Sequence, residues 1–511
     1  MAATLAEVLA AGADDDVALI APGLPPYTYR RLRAEVAGVA RRLEAIGLRR
    51  EDTVASVFPN GAEAVIVFLA VAQVATSAPL NPAYKEEEFR FYLADTGAKA
   101  LLLPPGAYPL ARVAVPAGVP LVEIEAGPDG RVRMHGEGLV DSEVGGGVGG
   151  GVGEGGAPPR SPAPDEFALI LHTSGTTSRP KMVPIRHRNL AASVANIVAT
   201  YALGPDDVAL CVMPLFHIHG IVASCLSTFG SGGTVVVPAK FNPLSFWALV
   251  REHRATWYSA VPTIHQMLLM RSGNSRPEGA ETLRFIRSSS SALPPEVMRQ
   301  LEERFGAPVL EAYGMTEASH QMASNPLPSQ GEHRPGSVGL GTGVEIGIMD
   351  ENGNLLPAAT AGEIVIRGPS VVDGYANNPE ANRDAFTKGW FRTGDQGVLD
   401  AAGYLSLTGR LKELINRGGE KIAPREIDEV LLEHPAVAEA VAFGIPHQTW
   451  GEEVAAAVVL KESATEKELI AHCRERLAEF KVPKVLHIVD SIPRTATGKI
   501  QRRSVAAAFT E

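Results

Sequence analysis

Cysteine is scarce in this 511-residue chain: there are three, Cys211, Cys225 and Cys473. Their wide spacing forms neither a paired zinc motif nor an even set for a disulfide framework, so a reducing compartment is expected. Long apolar runs are also missing. The longest, Ala64 to Ala75, falls well short of the roughly 20 residues a bilayer crossing needs and reads as a buried helix. Basic residues do not dominate, with 47 Lys and Arg against 58 Asp and Glu and a net charge of -11. That balance excludes the clustered cations of a nucleic-acid partner, and a spot such as Arg502-Arg503 reads as solvated surface. The N-terminus is acidic where a targeting peptide would be basic, and the C-terminal Ala-Ala-Phe-Thr-Glu is no peroxisomal signal. The cytosol is the expected location, with no membrane insertion.

What is present is ordinary globular composition, 45% hydrophobic and 21% charged, in a chain too long for one core, so several lobes are expected. Tyr27 to Leu48 sets Leu32, Val36, Val39 and Leu43 at helical spacing. Runs such as Thr53 to Phe58 and Ala98 to Leu103 then alternate with helical stretches, which predicts helices layered on sheets. Gly145 to Pro164 has no apolar periodicity and too much Gly and Pro to pack, and reads as a loop or linker. Phe167 to Leu171 reads as a buried strand, Asn189 to Leu203 as a helix, Asp207 to Gly220 as strand-like, and a β-rich section runs to about Gly409. Beyond it the character changes: Pro424 to Pro435 is helical, two alternating strands follow, and a second helix covers Glu466 to Phe480. The chain is therefore expected to be α/β: a large N-terminal lobe of layered sheets and helices over 1–409, a hinge at 410–413, and a small, mobile α+β lobe over 414–511.

The strand at Phe167 feeds a cluster of hydroxyls, Thr173-Ser174-Gly175-Thr176-Thr177, followed by Lys181. Hydroxyls, a flexible backbone and a cation suit phosphate oxygens, and a ligand at the end of such a strand is what open α/β architecture favours. The spacing is not that of a Walker A loop, which needs a second Gly directly before its Lys.

Five stretches in order carry a resemblance: "LHTSGTTSRPK", "EAYGMTE", "WFRTGD", "GRLKELINRGGEKIAPREID" and "PRTATGKIQRR". Together they resemble the core motifs of the adenylate-forming superfamily, which includes acyl-CoA synthetases, peptide-synthetase adenylation domains and firefly luciferase. "ATWYSAVPTIHQ", "RFIRSSSSALPP" and "TEASHQMASNPLP" further resemble plant and fungal oxalate–CoA ligases. The resemblance implies ATP and CoA as co-substrates, Mg2+ as cofactor, and an acyl-adenylate intermediate. Thr173, Ser174, Gly175, Thr176, Thr177 and Lys181 would then hold the phosphates. Glu311, Ala312 and Tyr313 would form the adenine site, with Tyr313 stacking on the base. Thr316 would donate to the α-phosphate, and Glu317 is the expected Mg2+ ligand. Asp395 would accept both ribose hydroxyls, with Arg410 as a charged donor at the ribose or phosphate.

Lys499 would bind the carboxylate and α-phosphate oxygens during adenylation and stabilise the transition state. The C-terminal lobe would then rotate about Lys412, bringing Gly418 and Gly419 to line the pantetheine tunnel.

The acid is indicated by polar residues where an apolar pocket would otherwise be expected. A small dicarboxylate needs its far carboxylate paired, because an unpaired buried charge costs several kcal/mol. His320 and Ser290, within the hydroxyl run Ser288 to Ser291, are expected to hold that carboxylate, and His217 to gate or orient the substrate. His219 is a weaker candidate. Oxalate is therefore the expected acid. A 4-coumarate-like or medium-chain ligase is the alternative within the fold, and a non-catalytic nucleotide binder the alternative outside it. No carrier-protein module is expected. Met182 stands where the superfamily usually has Gly, and it would be strained if that position needs a positive φ.

Overall fold

Alternating apolar runs and amphipathic helices build four sheets among the residues that the computed structural model describes, which are 2–136, 161–173, 180–494 and 500–510. The largest sheet has nine strands, ordered Leu340–Gly341, His320–Ser324, Val309–Met315, Phe285–Ser289, Trp257–Ala260, Val208–Cys211, Thr234–Val236, Val17–Ile20 and Tyr27–Thr28. From Val309–Met315 to Val17–Ile20 its strands run parallel, so their C-terminal ends open on one edge. Parallel strands are covered on both faces, which is why they read as short unbroken apolar runs. A second sheet of seven strands ends in Phe167–Thr173 paired antiparallel with Lys181–Arg186.

Helices fill the space around these sheets. Tyr29–Ala45 buries Leu32, Val36, Val39 and Leu43 completely, each contributing about 1.5–3 kcal/mol. Thr28 caps it by accepting the Arg31 N–H at 3.2 Å. Ala62–Val74 is buried on nearly every side, which explains an apolar run without periodicity. Among the described residues no helix is long and apolar enough to cross a membrane.

The β-rich section is a five-stranded antiparallel sheet that includes Gly362–Arg367, Trp390–Leu399 and Leu405–Arg410. A separate five-stranded sheet starts at Ile415. The helices Pro424–Leu432 and Glu466–Arg474 seal one of its faces through Ile427, Leu431, Leu469 and Cys473. Arg502–Thr510 covers the other through Val505, against Val441 and Phe443. The protein is thus α/β, with a large multi-sheet N-terminal domain and a small C-terminal one.

Two expectations meet the structure differently, and a third falls mostly outside it. Most of the Gly-rich stretch lies in 137–160, outside the described residues. The strand expected over Asp207 to Gly220 stops at Cys211, and His219–Leu226 is a π-helical segment. Gly220 permits that turn, because a Cβ there would sit 2.3 Å from the Pro214 carbonyl oxygen.

Met182 carries no positive φ. It lies in the extended strand Lys181–Arg186 opposite His172, packed against Ala78 and Ile170, so the strain expected of a side chain here does not arise. Because the side chain fills space, Met182→Gly should lower stability by about 2–4 kcal/mol, read as a fall in the thermal midpoint.

Candidate active site

The end of the candidate site expected to take the nucleotide is assembled by strand register. Asp395 and Arg410 are opposed across antiparallel strands, and Arg410 Nε lies 3.2 Å from Asp395 Oδ1. Asp395 Oδ2 accepts the Tyr313 hydroxyl at 2.5 Å. Tyr313 is buried, and burial with the neighbouring Asp395 charge pushes its phenol well above its ordinary pKa. Each carboxylate oxygen has two lone pairs, so Asp395 retains acceptor capacity for a ribose.

Thr173 and Lys181 are cross-strand partners that close the two ends of the hydroxyl loop. Ser174, Gly175, Thr176 and Thr177 lie outside the described residues, as does Lys499.

Lys181 Nζ sits 4.5 Å from the centre of the Tyr375 ring, and Tyr375 donates to Glu317 Oε1 at 2.8 Å. Burial raises the Glu317 carboxyl above its ordinary pKa, while the Tyr375 bond and the Lys181 charge oppose the rise. Thr316, half-buried, precedes it in the short helical turn Thr316–Ala318. Ala312 is buried, and its carbonyl accepts the Ser289 hydroxyl at 2.9 Å. Glu311 points away from any cation pair: its carboxylate faces the N–H groups of Leu293 at 3.3 Å and Gly336 at 3.2 Å.

The other end of the site is a buried polar cluster. Ser290 accepts or donates to His219 Nδ1 at 3.0 Å, and His219 Nε2 lies 2.6 Å from Ser259 Oγ. The His219 and His320 rings meet edge to face, 5.1 Å between centres. At their centre is Arg287, 0% exposed. Its guanidinium donates to Tyr201, Gln321 and Ser259 and approaches His320 Nδ1 at 3.4 Å. Among the described residues no carboxylate forms an ion pair with it. Ser290 and His320 each contact His219, the weaker candidate, which lies between them. His217 is half-buried two residues away and accepts the His219 N–H at 3.3 Å.

Sequence reasoning missed Arg287, Ser259, Tyr201, Gln321 and Tyr375. Arg287 left a trace: a charged residue directly after Phe285-Ile286 in a strand otherwise buried throughout.

Lys412 is exposed in the short turn Leu411–Glu413 that joins the last strand of the β-rich sheet to the small lobe. Gly418 and Gly419 have φ of +61° and +95° and form the two-residue turn of the hairpin Ile415–Arg417 with Glu420–Ile422. A tight hairpin demands glycine there by itself.

Comparison with known proteins decides the family. The AMP-binding enzyme family matches residues 6–376, and the AMP-binding enzyme C-terminal domain matches 426–499. The chain belongs to the AMP-binding enzymes. This AMP-binding enzyme is 48% identical to the oxalate–CoA ligase of Arabidopsis thaliana, across 97% of the chain and 96% of the relative. It is 47% identical to that of Saccharomyces cerevisiae, across 90% and 88%. It superposes on ATP-bound MatB from Rhodopseudomonas palustris with a TM-score of 0.89 at 31% identity, covering 100% of this chain and 99% of the other. Against the apo form of MatB from the same organism the TM-score is 0.80. As an AMP-binding enzyme of this kind, it is an ATP-using, AMP-forming acyl-CoA ligase.

Its buried Glu311 gives a testable pH dependence. Burial pushes this carboxyl from 4.5 to about 7. A raised acid pKa gives stability that is complete below the unfolded value and lost as pH rises through the folded one. Between pH 5 and pH 8 the enzyme should therefore lose about 3 kcal/mol relative to Glu311→Gln, measured as the change in the gap between their denaturation curves.

Proposed function

We propose that this enzyme is an oxalate–CoA ligase, forming oxalyl-CoA, AMP and pyrophosphate. The observation that carries the reading is the polar cluster of Ser290, His219 and His320 around the buried Arg287. A site for a fatty or aryl acid gains nothing from that cluster, whereas the second carboxylate of a two-carbon diacid needs donors and a positive field. Near-half identity to oxalate–CoA ligases of a plant and a yeast, over almost the full chain, supports the same reading.

One carboxylate of oxalate attacks the α-phosphorus of ATP, pyrophosphate leaves, and oxalyl-AMP forms. The CoA thiol, losing its proton, then attacks the activated carbonyl, and AMP departs. In the first step Thr173, Ser174, Gly175, Thr176, Thr177 and Lys181 hold the phosphates, and Thr316 donates to the α-phosphate. Asp395 takes the ribose, Tyr313 with the strand residues Glu311 and Ala312 forms the adenine site, and Arg410 adds charge beside them. His320, Ser290 and His217 orient the acid. Lys499 bridges the attacking carboxylate and the α-phosphate as charge builds between them.

Glu317 fits as a Mg2+ ligand, since it is a single carboxylate with one oxygen committed to Tyr375, and Mg2+ accompanying ATP takes most of its shell from phosphates and water. Bound there, the ion would neutralise phosphate charge.

The second step has residues 414–511 turning against 1–409 about the 410–413 segment at Lys412, with Gly418 and Gly419 beside the pantetheine arm. The higher TM-score against ATP-bound MatB than against its apo form supports reading the described lobe arrangement as the adenylating one.

The test is CoA-dependent AMP release from Mg-ATP with oxalate, malonate, hexanoate and 4-coumarate at equal concentration. Turnover of oxalate at least ~100-fold above hexanoate is expected. Turnover of hexanoate or coumarate with none of oxalate would return the polar cluster to a structural role. Lys499→Ala should slow adenylation by about 10²–10³ with the thermal midpoint unchanged.

A further inference from the structure

Arginine donates hydrogen bonds and accepts none, and this fixes the direction of every bond that Arg287 makes. Its Nη1 donates to Ser259 Oγ at 2.9 Å. Ser259, opposite Arg287 on the neighbouring parallel strand, has its Oγ 2.6 Å from His219 Nε2, and Arg287 Nη1 itself faces that nitrogen at 3.5 Å, so Nε2 is read as the acceptor toward which Ser259 turns its hydrogen. A ring nitrogen that accepts leaves the proton of the neutral imidazole on the other, so His219 Nδ1–H donates to Ser290 Oγ at 3.0 Å. Ser290, already accepting, turns its hydrogen to a further acceptor. On the second branch Arg287 Nη2 faces His320 Nδ1 at 3.4 Å, which makes that nitrogen the acceptor and puts the ring proton on Nε2.

The backbone supports this directed arrangement. Ser290, Ser319 and His320 all have left-handed φ, +73°, +53° and +106°. Non-glycine residues in that region are strained and persist where their surroundings hold them. Tyr201 and Gln321, both uncharged, accept from Nε and Nη2, and no carboxylate among the described residues pairs with the cation.

We infer that Arg287 and Ser259 are positioning residues that polarise this relay, so that Ser290 and His320 present donors to the distal end of the acid and select an acceptor-only carboxylate over an isosteric group carrying its own hydrogens. The inference rests on the oxalate reading and adds to it residues that need not touch the substrate. A site with fixed donors rejects a ligand donor because two hydrogens then face each other and neither is paired.

Oxamate is the direct probe, since it keeps one carboxylate for adenylation and replaces the other with an amide bearing two N–H groups. AMP release would be measured with oxalate and with oxamate for the wild type, Ser259→Ala and Arg287→Gln, together with KM for ATP and the thermal midpoint. The wild type should prefer oxalate by ~100-fold or more in kcat/KM. Ser259→Ala breaks the relay by removing one oxygen. It should raise KM for oxalate about tenfold and lower the preference about tenfold, with KM for ATP changed less than about twofold. Arg287→Gln substitutes a group able to donate or accept, and should erode the preference further. A preference unchanged within about twofold in Ser259→Ala overturns the inference, and this variant decides the matter even where Arg287→Gln does not fold. Absence of oxalate turnover in the wild type would instead overturn the oxalate reading, and the inference with it.

Discussion

A guanidinium removed from water without a counter-charge is among the more costly things a fold can contain, and the site around Arg287 is organised by that cost. Tyr201, Gln321 and Ser259 each supply a neutral acceptor, and they come from a helix, an antiparallel strand and a parallel strand respectively. Their convergence requires the parallel register that sets Ser259 beside Arg287 and the hairpin that brings His320–Ser324 back along Val309–Met315. Neutral partners satisfy the hydrogens while leaving the charge uncompensated. A carboxylate in the same position would have stabilised the apo fold more and left less attraction for an anionic substrate.

The opposite end of the site has the reverse composition. Glu317, Asp395 and Glu311 are buried carboxylates, and Lys181 and Arg410 are the cations set against the first two. Burial pushes the Glu317 and Glu311 carboxyls upward and so disfavours their charged forms, which the Tyr375 bond and the Lys181 charge oppose at Glu317 and the Leu293 and Gly336 N–H groups oppose at Glu311. Carboxylates thus dominate around Tyr313 and Tyr375, whereas a guanidinium lies at the centre of the histidine cluster.

Among the described residues, contacts between the lobes are of a weaker kind. Lys421 and Glu351 approach to 3.4 Å with both side chains exposed, and Arg425 donates to the Leu407 carbonyl at 3.0 Å. Exposed pairs contribute at most about 1 kcal/mol, whereas the small lobe has its own buried core around Ile427, Val454 and Leu469. Strong cohesion within a lobe and weak cohesion between lobes is the energetic pattern that a rotation about Lys412 would need.

Local chemistry was legible where a residue's role depends on its immediate neighbours. The helical period of Leu32, Val36, Val39 and Leu43 marked a buried face, the run at Phe167 marked a strand leading to a hydroxyl loop, and the small α+β lobe followed from its two helices and alternating strands. His320 and Ser290 were expected to act together, and in the structure each contacts His219. Met182 shows the limit: a motif position normally held by Gly implied strain, and only the strand register revealed extended backbone and a packed side chain. Likewise the strand expected through His219 gave way to a π-helical turn because Gly220 approaches the Pro214 carbonyl, a contact between chain segments with no local signature.

The sequence by itself therefore determined the order of strands and helices, the hydroxyl loop and the acidic motifs, all governed by periodicity and nearest neighbours. Tertiary structure alone decided which side chains share a hydrogen bond: Tyr313 with Asp395, Tyr375 with Glu317, and Arg287 with Ser259 and the histidines. Those pairs are separated by 28 to 82 residues along the chain. Their distances are set by sheet order and register, which depend on how all the apolar faces are buried together.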